Sequence, residues 1–363
     1  MSDIIQTPKK RIEYIDALRG FTMILVVFSH VLLFSLDIKS SFINEVFISF
    51  RMPLFFFISG FIGYKGNVVW NKQTWWAMSK KKILIQLLPT LVFGLIYTYA
   101  YRNLDLKAFA ADNMKLGYWF TIVLLEMFLL MYTINAVLFN KKQEVFKKRI
   151  LYTLIIGAPL LFFMSFLPNV ISQLHKVFSL FSLYQMFRFF LYFAFGYICS
   201  MYKETFNRIL DNKYFPTAII IAFIVLFGID YFYIEQYVMT GCKIYGIHIN
   251  YFDIMLMKII GFFGLLIVYK TFRVYKDTFT SDKKIGKTLQ YIGKRTLDIY
   301  LLHYFFLPYL PQLGNVLSTG KNASLELLIG GGLSLVVVGL CLVVSSILRT
   351  SPILAKYLFG VKK

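Results

Sequence analysis

Long apolar runs alternate with short polar segments along nearly the whole chain. Ten of these runs are long enough, or nearly so, to cross about 30 Å of hydrocarbon as α-helices. They cover residues 14–35, 43–64, 83–101, 118–139, 150–168, 179–200, 215–234, 252–271, 295–311 and 325–348. We therefore predict an all-α fold, a polytopic transmembrane helical bundle of about ten spans that forms a single membrane-embedded domain over residues 1–363.

The basic residues between the runs predict the orientation of the chain. With a cytoplasmic N-terminus, the inner segments hold 28 Lys and Arg residues and the outer segments hold 7, counted on the sequence. An excess of Lys and Arg is typical of cytoplasmic loops. We therefore expect a multi-pass protein of the cell membrane with both termini cytoplasmic. The basic inner segment 272–294 is expected to form an amphipathic surface helix.

Composition agrees with a membrane protein and argues against two other classes. Hydrophobic residues make up 58% of the chain and charged residues 16%, whereas a soluble domain carries about 25% charged residues. The net charge of +21 is spread over short loops rather than gathered in an aromatic-interleaved patch, so no nucleic-acid partner is expected. The three cysteines lack the spacing of metal ligands, and no metal site is predicted.

A small set of charged and imidazole side chains lies inside the predicted spans. Because such groups are costly in hydrocarbon, they mark a functional site by default. The set comprises Arg19, Arg51, Arg188, Lys258, Asp16, Glu126, Asp298, His30 and His303. Eleven helical steps of about 100° place Arg19 and His30 on one face, about 16 Å apart along the axis. Counting from the span ends predicts that His30, Arg51, Glu126, Arg188 and His303 share one layer between the midplane and the outer third.

Structural explanations remain open for each of these residues. Asp16 and Arg19 are three residues apart and can neutralise each other near the cytoplasmic surface. Arg51 and Glu126 can form a structural pair between helices. Both histidines, His30 and His303, can be core histidines with satisfied hydrogen bonds.

The residue types point to a proton-transfer reaction on a hydroxyl group. A histidine at this depth can take a proton from a hydroxyl and return it, as hydroxyl acylation requires. A cation at the cytoplasmic end suits a phosphate-rich donor such as a coenzyme A (CoA) thioester. The chain contains no Gly-rich phosphate loop, HExxH or CxxC motif, which argues against nucleotide hydrolysis and metal catalysis.

Four sequence blocks resemble the acyltransferase-3 family of integral membrane O-acyltransferases. The first is YIDALRG at 14–20, with His30 beyond its arginine, and the second is FRMPLFFFISGF at 50–61, which includes Ser59. The third is YWF at 118–120 and the fourth is GKRTLDIYLLH at 293–303. The blocks occur in the family's order and span most of the chain.

The resemblance implies an enzyme, an acyltransferase that transfers groups other than amino-acyl groups. The donor would be cytoplasmic acyl-CoA, with acetyl-CoA expected as donor substrate and no bound cofactor. The acceptor would be a hydroxyl of a cell-envelope or exported saccharide or glycolipid, as in O-acetylation of a polysaccharide. Such a protein is expected in a bacterial cytoplasmic membrane. Because no fused hydrolase-like domain is seen, the acceptor would arrive from solution, a lipid carrier or a glycan-assembly partner protein.

The resemblance also suggests roles for individual residues. His30, Arg51 and Glu126 are predicted to be catalytic: the histidine as general base, the arginine as the group that orients the thioester or stabilises its oxyanion, and the glutamate as the arginine's charge partner. The residues predicted to bind the donor are Arg19, Asp16, Lys81 and Lys82. Residues of second rank are His303, Arg188 and Ser59.

One departure from the family pattern and one alternative function complete the expectations. The family often has a second arginine shortly before the proline that opens the third span, where this chain has Gln86, so the preceding lysines are expected to replace it. The alternative is a transporter or flippase that moves a glycan, lipid or small anion without acyl-transfer chemistry. Transporters also use polar layers at the midplane.

Overall fold

The computed structural model describes residues 11–169, 171–234, 243–244, 247–320 and 322–359. Residues 1–10 and 360–363, which carry the two predicted cytoplasmic termini, lie outside the described residues. The α-helices are α1 (Glu13–His30), α2 (Phe42–Gly63), α3 (Lys72–Lys82), α4 (Leu88–Arg102), α5 (Leu106–Ala111), α6 (Trp119–Leu138), α7 (Gln143–Met164), α8 (Leu174–Leu180), α9 (Leu183–Met201), α10 (Lys203–Leu210), α11 (Phe215–Ile229), α12 (Ile249–Val274), α13 (Lys284–Lys294), α14 (Thr296–Leu302), α15 (Pro311–Gly320), α16 (Ala323–Leu348) and α17 (Pro352–Phe359).

Short elements of other types connect these helices. Segments of π-helix cover Val31–Ser35, Ile83–Leu87 and Asp230–Ile234, and 3₁₀ turns cover Lys115–Gly117, Leu167–Asn169, Lys276–Phe279 and His303–Phe305. Two strands of two residues each, β1 (Lys243–Ile244) and β2 (Ile247–His248), pair antiparallel. Apart from this short strand pair, the regular elements of the described residues are helical, which confirms the predicted all-helical character.

Seven helices in the described part of the chain are long and apolar enough to span a membrane. They cover Glu13–Ser35, Phe42–Gly63, Lys72–Arg102, Trp119–Leu138, Phe215–Phe232, Ile254–Val274 and Ala323–Leu348. The pair Leu174–Leu180 and Leu183–Met201, bent by 62°, makes an eighth if it counts as one span. The predicted total of about ten spans is not confirmed, and the orientation of the termini stays a prediction.

With the bent pair counted as one span, the fifth and ninth predicted spans account for the difference from ten. The fifth belongs to α7, in which the basic residues 147–149 occupy the second turn and shorten the apolar stretch. The ninth, 295–311, is wrong as a single helix, because α14 ends at Leu302 and is followed by a 3₁₀ turn and irregular chain. Pro308 explains the break, since a proline lacks an N–H group and disfavours helix at the preceding residue.

Two glycine contacts bring pairs of helices together at backbone distance. A Cβ atom on Gly20 of α1 would lie 2.0 Å from the carbonyl oxygen of Leu289, and one on Gly293 of α13 would lie 1.8 Å from the carbonyl oxygen of Asp16. Gly60 of α2 and Gly196 of α9 approach each other's helices in the same way. Small residues permit such contacts between membrane helices.

The predicted amphipathic helix in 272–294 is present as α13, but its placement differs from the prediction. Its residues Gly286, Gln290, Ile292 and Gly293 are buried, and it packs against α1 rather than lying free on the surface. Gly20 and Gly293 make this contact between α1 and α13 possible. Through this contact α13 and the following α14 are held beside the first span.

Candidate active site

His30 and His303 form the centre of the site. The Nδ1 atom of His30 lies 2.8 Å from Nε2 of His303, and the planes of the two rings are nearly parallel, with an interplanar angle of 11°. Each histidine follows a contact glycine by ten residues, Gly20 in α1 and Gly293 in α13. Since both contacts occur in the same order on the two segments, the segments run parallel, and the glycine contact sets the register of the histidine pair.

The hydrogen bonds determine which nitrogen of His30 can act as a base. Nδ1 of His303 lies 2.7 Å from the carbonyl oxygen of Tyr300 and 3.2 Å from that of Ile299. A carbonyl only accepts, so Nδ1 of His303 carries the hydrogen and its Nε2 accepts. His30 therefore donates through Nδ1, and its Nε2 retains a free lone pair.

The end of α1 presents His30 to a cavity of about 690 Å³, here called the histidine cavity. A π-helical segment begins directly after His30, a distortion often found at functional sites. The cavity is lined by His30, Arg51, Met52, Tyr97, Tyr101, Arg102, Asp112, Gly117, Trp119, Phe120, Tyr300, Tyr304 and Tyr309, together with apolar side chains. Aromatic rings with polar atoms thus dominate its wall.

Arg51 supplies a cation with unoccupied hydrogen-bond donors to this cavity. Its Nε and Nη1 atoms are buried and have no hydrogen-bond partner among the described residues, and its charge acts on His30. The predicted ion pair between Arg51 and Glu126 is absent from the ion pairs among the described residues. Glu126 lines neither of the two cavities and instead acts electrostatically on Lys115.

Arg188 also lies apart from the histidine pair. Its guanidinium group is 5.8 Å from the ring centroid of Phe166, and it lines neither of the two cavities. The predicted common layer therefore brings together His30, Arg51 and His303 but neither Arg188 nor Glu126. These residues were grouped by their depth along the predicted spans. Depth carries no information on which face of a helix meets the site.

The loop before α6 forms part of the histidine cavity. Lys115, Leu116 and Gly117 all have positive φ angles, of 49°, 50° and 105°. The buried Lys115 ammonium donates to the carbonyl oxygens of Ala110, Asp112 and Ser179 at 2.6–2.8 Å. Burial lowers the pKa of Lys115, while the charges of Asp112 and Glu126 act in the opposite direction.

Gly117 meets two tyrosines that line the cavity. Its carbonyl oxygen accepts a hydrogen bond of 2.6 Å from the Tyr300 hydroxyl, and a Cβ atom at this position would lie 2.3 Å from the Tyr304 hydroxyl oxygen. Sequence reasoning missed both Lys115 and Gly117. A lysine in an outer segment next to a glycine does not distinguish a buried loop anchor from a solvated charge.

A second cavity of about 540 Å³ contains the predicted donor-binding cations and is here called the basic cavity. Its cations are Arg19, Lys65, Lys81, Lys82, Lys294 and Arg349, against the single carboxylate of Asp298. That carboxylate is already paired with Arg349, whose Nη2 lies 2.6 Å from it. Ser59 and Gln86 also line this cavity, and the side-chain oxygen of Gln86 has no hydrogen-bond partner within the described residues.

Arg19 is held at the edge of the basic cavity by two contacts. Its Nη1 atom lies 3.7 Å from the carboxylate of Asp16, and its Nη2 donates to the Thr296 hydroxyl at 3.0 Å. Asp16 itself does not line the cavity, and its predicted part in donor binding stays a prediction. Sequence reasoning missed Lys65, Lys294 and Arg349, because in the inner loops they are indistinguishable from the charges that orient the chain.

The helical bundle and its apolar spans define a multi-pass membrane protein. The sequence matches the model of an acyltransferase domain, that of the acyltransferase-3 family, over residues 12–346. Because the match covers nearly the whole chain, the protein belongs to this family and is a membrane acyltransferase. No curated protein and no solved structure matches the chain. Family membership favours acyl-transfer chemistry over the transporter or flippase alternative.

Proposed function

We propose that this protein is an O-acetyltransferase that moves the acyl group of cytoplasmic acyl-CoA to a hydroxyl of a cell-envelope or exported saccharide. The observation that carries the proposal is the free Nε2 lone pair of His30, held in a cavity that adjoins a second, cationic cavity. A base and a polyanion site in adjoining cavities are what acyl transfer from CoA requires.

The basic cavity suits the phosphate groups of the donor. Five cations lie beside the Arg349–Asp298 ion pair in this cavity, and the positive potential that they produce favours phosphate oxygens. The hydrogen-bond donors of the Arg19 guanidinium group are only partly occupied by Asp16 and Thr296. Lys82 places its Nζ atom 3.5 Å from the ring centroid of Phe128, which orients this flexible chain through a cation–π contact.

The histidine cavity suits a saccharide acceptor. Rings of Tyr97, Trp119 and Tyr304 provide flat apolar faces, and their polar atoms provide hydrogen-bonding partners. Arg51 and Arg102 add donors for hydroxyl or carboxylate oxygens of the acceptor.

The reaction follows from these positions. Nε2 of His30 takes the proton from the acceptor hydroxyl, whose oxygen forms a bond to the thioester carbonyl carbon. The resulting oxyanion is stabilised by the unpaired donors of Arg51. The carbon–sulfur bond then breaks, the thiolate of CoA leaves and it takes the proton from His30. His303 is a positioning residue: its Nε2 accepts a hydrogen bond from the Nδ1–H group of His30 and so keeps the Nε2 lone pair of His30 free.

The test compares ester-linked acyl groups on envelope glycans, by mass spectrometry, in cells that carry the wild type or His30→Ala at equal membrane abundance. His175→Ala is the matched control, because His175 lies on α8, pairs with Tyr184 and lines neither cavity. We expect one specific ester to disappear in His30→Ala and to persist in His175→Ala. Wild-type and His30→Ala cells with the same esters would refute the proposal.

A further inference from the structure

Two aromatic side chains separate the basic cavity from the histidine cavity. Phe120 and Tyr300 line both cavities. Arg19 and the lysines lie on one side of this pair, and His30 and Arg51 lie on the other. A donor whose phosphates occupy the basic cavity must therefore pass its acyl group between or beside these two rings to reach His30.

The two rings are held in different ways. The Tyr300 hydroxyl donates to the carbonyl oxygen of Gly117 at 2.6 Å and accepts from the backbone N–H of Phe120 at 3.1 Å. The ring of Phe120 makes packing contacts only, with centroids 5.0 Å from Phe55, 5.1 Å from Phe56 and 5.4 Å from Tyr300. Rotation of the Phe120 side chain therefore breaks no hydrogen bond, whereas movement of Tyr300 breaks two.

We propose that Phe120 is a specificity-determining residue: its ring closes the opening between the two cavities, limits the length of the acyl group that reaches His30 and keeps water away from the thioester. This inference rests on the proposed function and concerns a residue with no part in the chemical step. The bulk of Phe120 sets the opening, and Tyr300 is the fixed wall against which it closes.

Shortening Phe120 should allow a second reaction. Water, instead of the acceptor hydroxyl, gives its proton to Nε2 of His30 while its oxygen bonds to the thioester carbon. The carbon–sulfur bond breaks, and the CoA thiolate takes the proton from His30. The products are a free carboxylic acid and CoA, so this leak is measured as CoA release without any acceptor.

The experiment measures CoA release by the purified protein without acceptor, from acetyl-CoA, butanoyl-CoA and hexanoyl-CoA in turn. We expect Phe120→Leu to raise the ratio of hexanoyl to acetyl turnover about tenfold, the scale on which pockets discriminate added methylene groups. Phe120→Trp, with a larger ring, should lower the same ratio. The double variant Phe120→Leu with His30→Ala should release no CoA above background.

Phe190→Leu is the matched control. Phe190 is 1% exposed, against 7% for Phe120, it stacks on Phe193 and it lines neither cavity. This control should keep the wild-type ratio, although it loses the same number of carbon atoms. A ratio that changes equally in Phe120→Leu and Phe190→Leu would overturn the inference, as would leakage that does not depend on His30.

The glycan ester measurement separates failure of this inference from failure of the proposed function. If wild-type cells make the ester but the Phe120 variants keep the wild-type chain-length ratio, Phe120 does not determine specificity and the acyl transfer stands. If wild-type cells make no ester and the purified protein releases no CoA from any acyl-CoA, both proposals fall together.

Discussion

Replacing Gly293 with alanine should separate His30 from His303 while the protein remains folded. A Cβ atom at this position would lie 1.8 Å from the carbonyl oxygen of Asp16, whereas ordinary contacts begin at 3.4 Å. The obstructing atom belongs to the backbone, so the helices must separate by about 1.6 Å at this point. A similar displacement ten residues later lengthens the 2.8 Å histidine hydrogen bond beyond any useful distance.

The expected effect on activity is large and that on stability is moderate. A misplacement of about 1 Å at a catalytic group costs about 100-fold in rate, so we expect transferase activity to fall at least that far. Overpacking costs about 1–3 kcal/mol, and the higher helix propensity of alanine over glycine returns up to about 1 kcal/mol. The variant should therefore reach the membrane and melt a few degrees below the wild type.

Three variants and one control test this reasoning. Activity is measured as ester-linked acyl groups at equal membrane abundance, and stability as the midpoint of thermal unfolding. Gly20→Ala should resemble Gly293→Ala, because its Cβ atom would lie 2.0 Å from the carbonyl oxygen of Leu289. The double variant Gly20→Ala with Gly293→Ala should lose much less activity than the product of the two single losses. Both substitutions cause the same displacement of the two helices, so their effects do not add. Gly331→Ala is the control, because nothing lies within 4 Å of its added Cβ atom.

Full activity in Gly293→Ala would refute the argument that this contact sets the histidine register. A loss of activity that only follows a loss of folded protein would refute it as well. Additive losses for Gly20→Ala and Gly293→Ala would show that the two glycines act at separate places.

Three further predictions concern single side chains. His303→Leu should lower kcat about 100-fold with an unchanged KM for acyl-CoA. His303→Gln should recover part of the loss, because its amide oxygen can accept the hydrogen bond from Nδ1–H of His30; equal kcat values for the two variants would exclude a positioning role. Arg19→Gln should raise the KM for acyl-CoA about tenfold with little change in kcat, as expected for one lost charge-assisted hydrogen bond; an unchanged affinity for CoA, measured by calorimetry, would remove Arg19 from the donor site. Lys115→Met should lower the thermal midpoint by several degrees and reduce ester formation, because three buried carbonyl groups lose their donor, whereas the exposed Lys107→Met should change neither.

The sequence predicted the membrane-spanning helices well because their signal is local. A run of apolar residues predicts a helix in lipid without knowledge of its neighbours, and the segments around 14–35, 43–64 and 325–348 appear nearly as predicted. The interruption near Pro308 was harder to predict, since a proline inside an apolar run is compatible with both a kinked and a broken helix. Pro53, inside the continuous helix α2, shows the first of these outcomes.

The site could be predicted only in part, because contacts between helices depend on which faces meet. The free-energy cost of placing a charged or imidazole group in hydrocarbon singled out His30, Arg51 and Arg19. The structure places all three side chains in the walls of the two cavities. The same criterion selected Glu126 and Arg188, which line neither. One signal was present but unused: the ten-residue spacing from glycine to histidine occurs twice, at 20–30 and 293–303, and equal spacings on two parallel segments predict that the histidines meet if the glycines do.

The same glycine contact also relates the proposed donor site to His30, the proposed base. Arg19 precedes one contact glycine and Lys294 follows the other, and both line the basic cavity. From Arg19 to His30 the first helix rises about 16 Å at 1.5 Å per residue. A donor that contacts both residues must therefore be long, with its charge at one end and its reactive carbonyl at the other. A CoA thioester has this form, because a flexible arm separates its diphosphate from the thioester. A compact donor such as acetyl phosphate cannot bridge the distance, so it should not replace acetyl-CoA in ester formation.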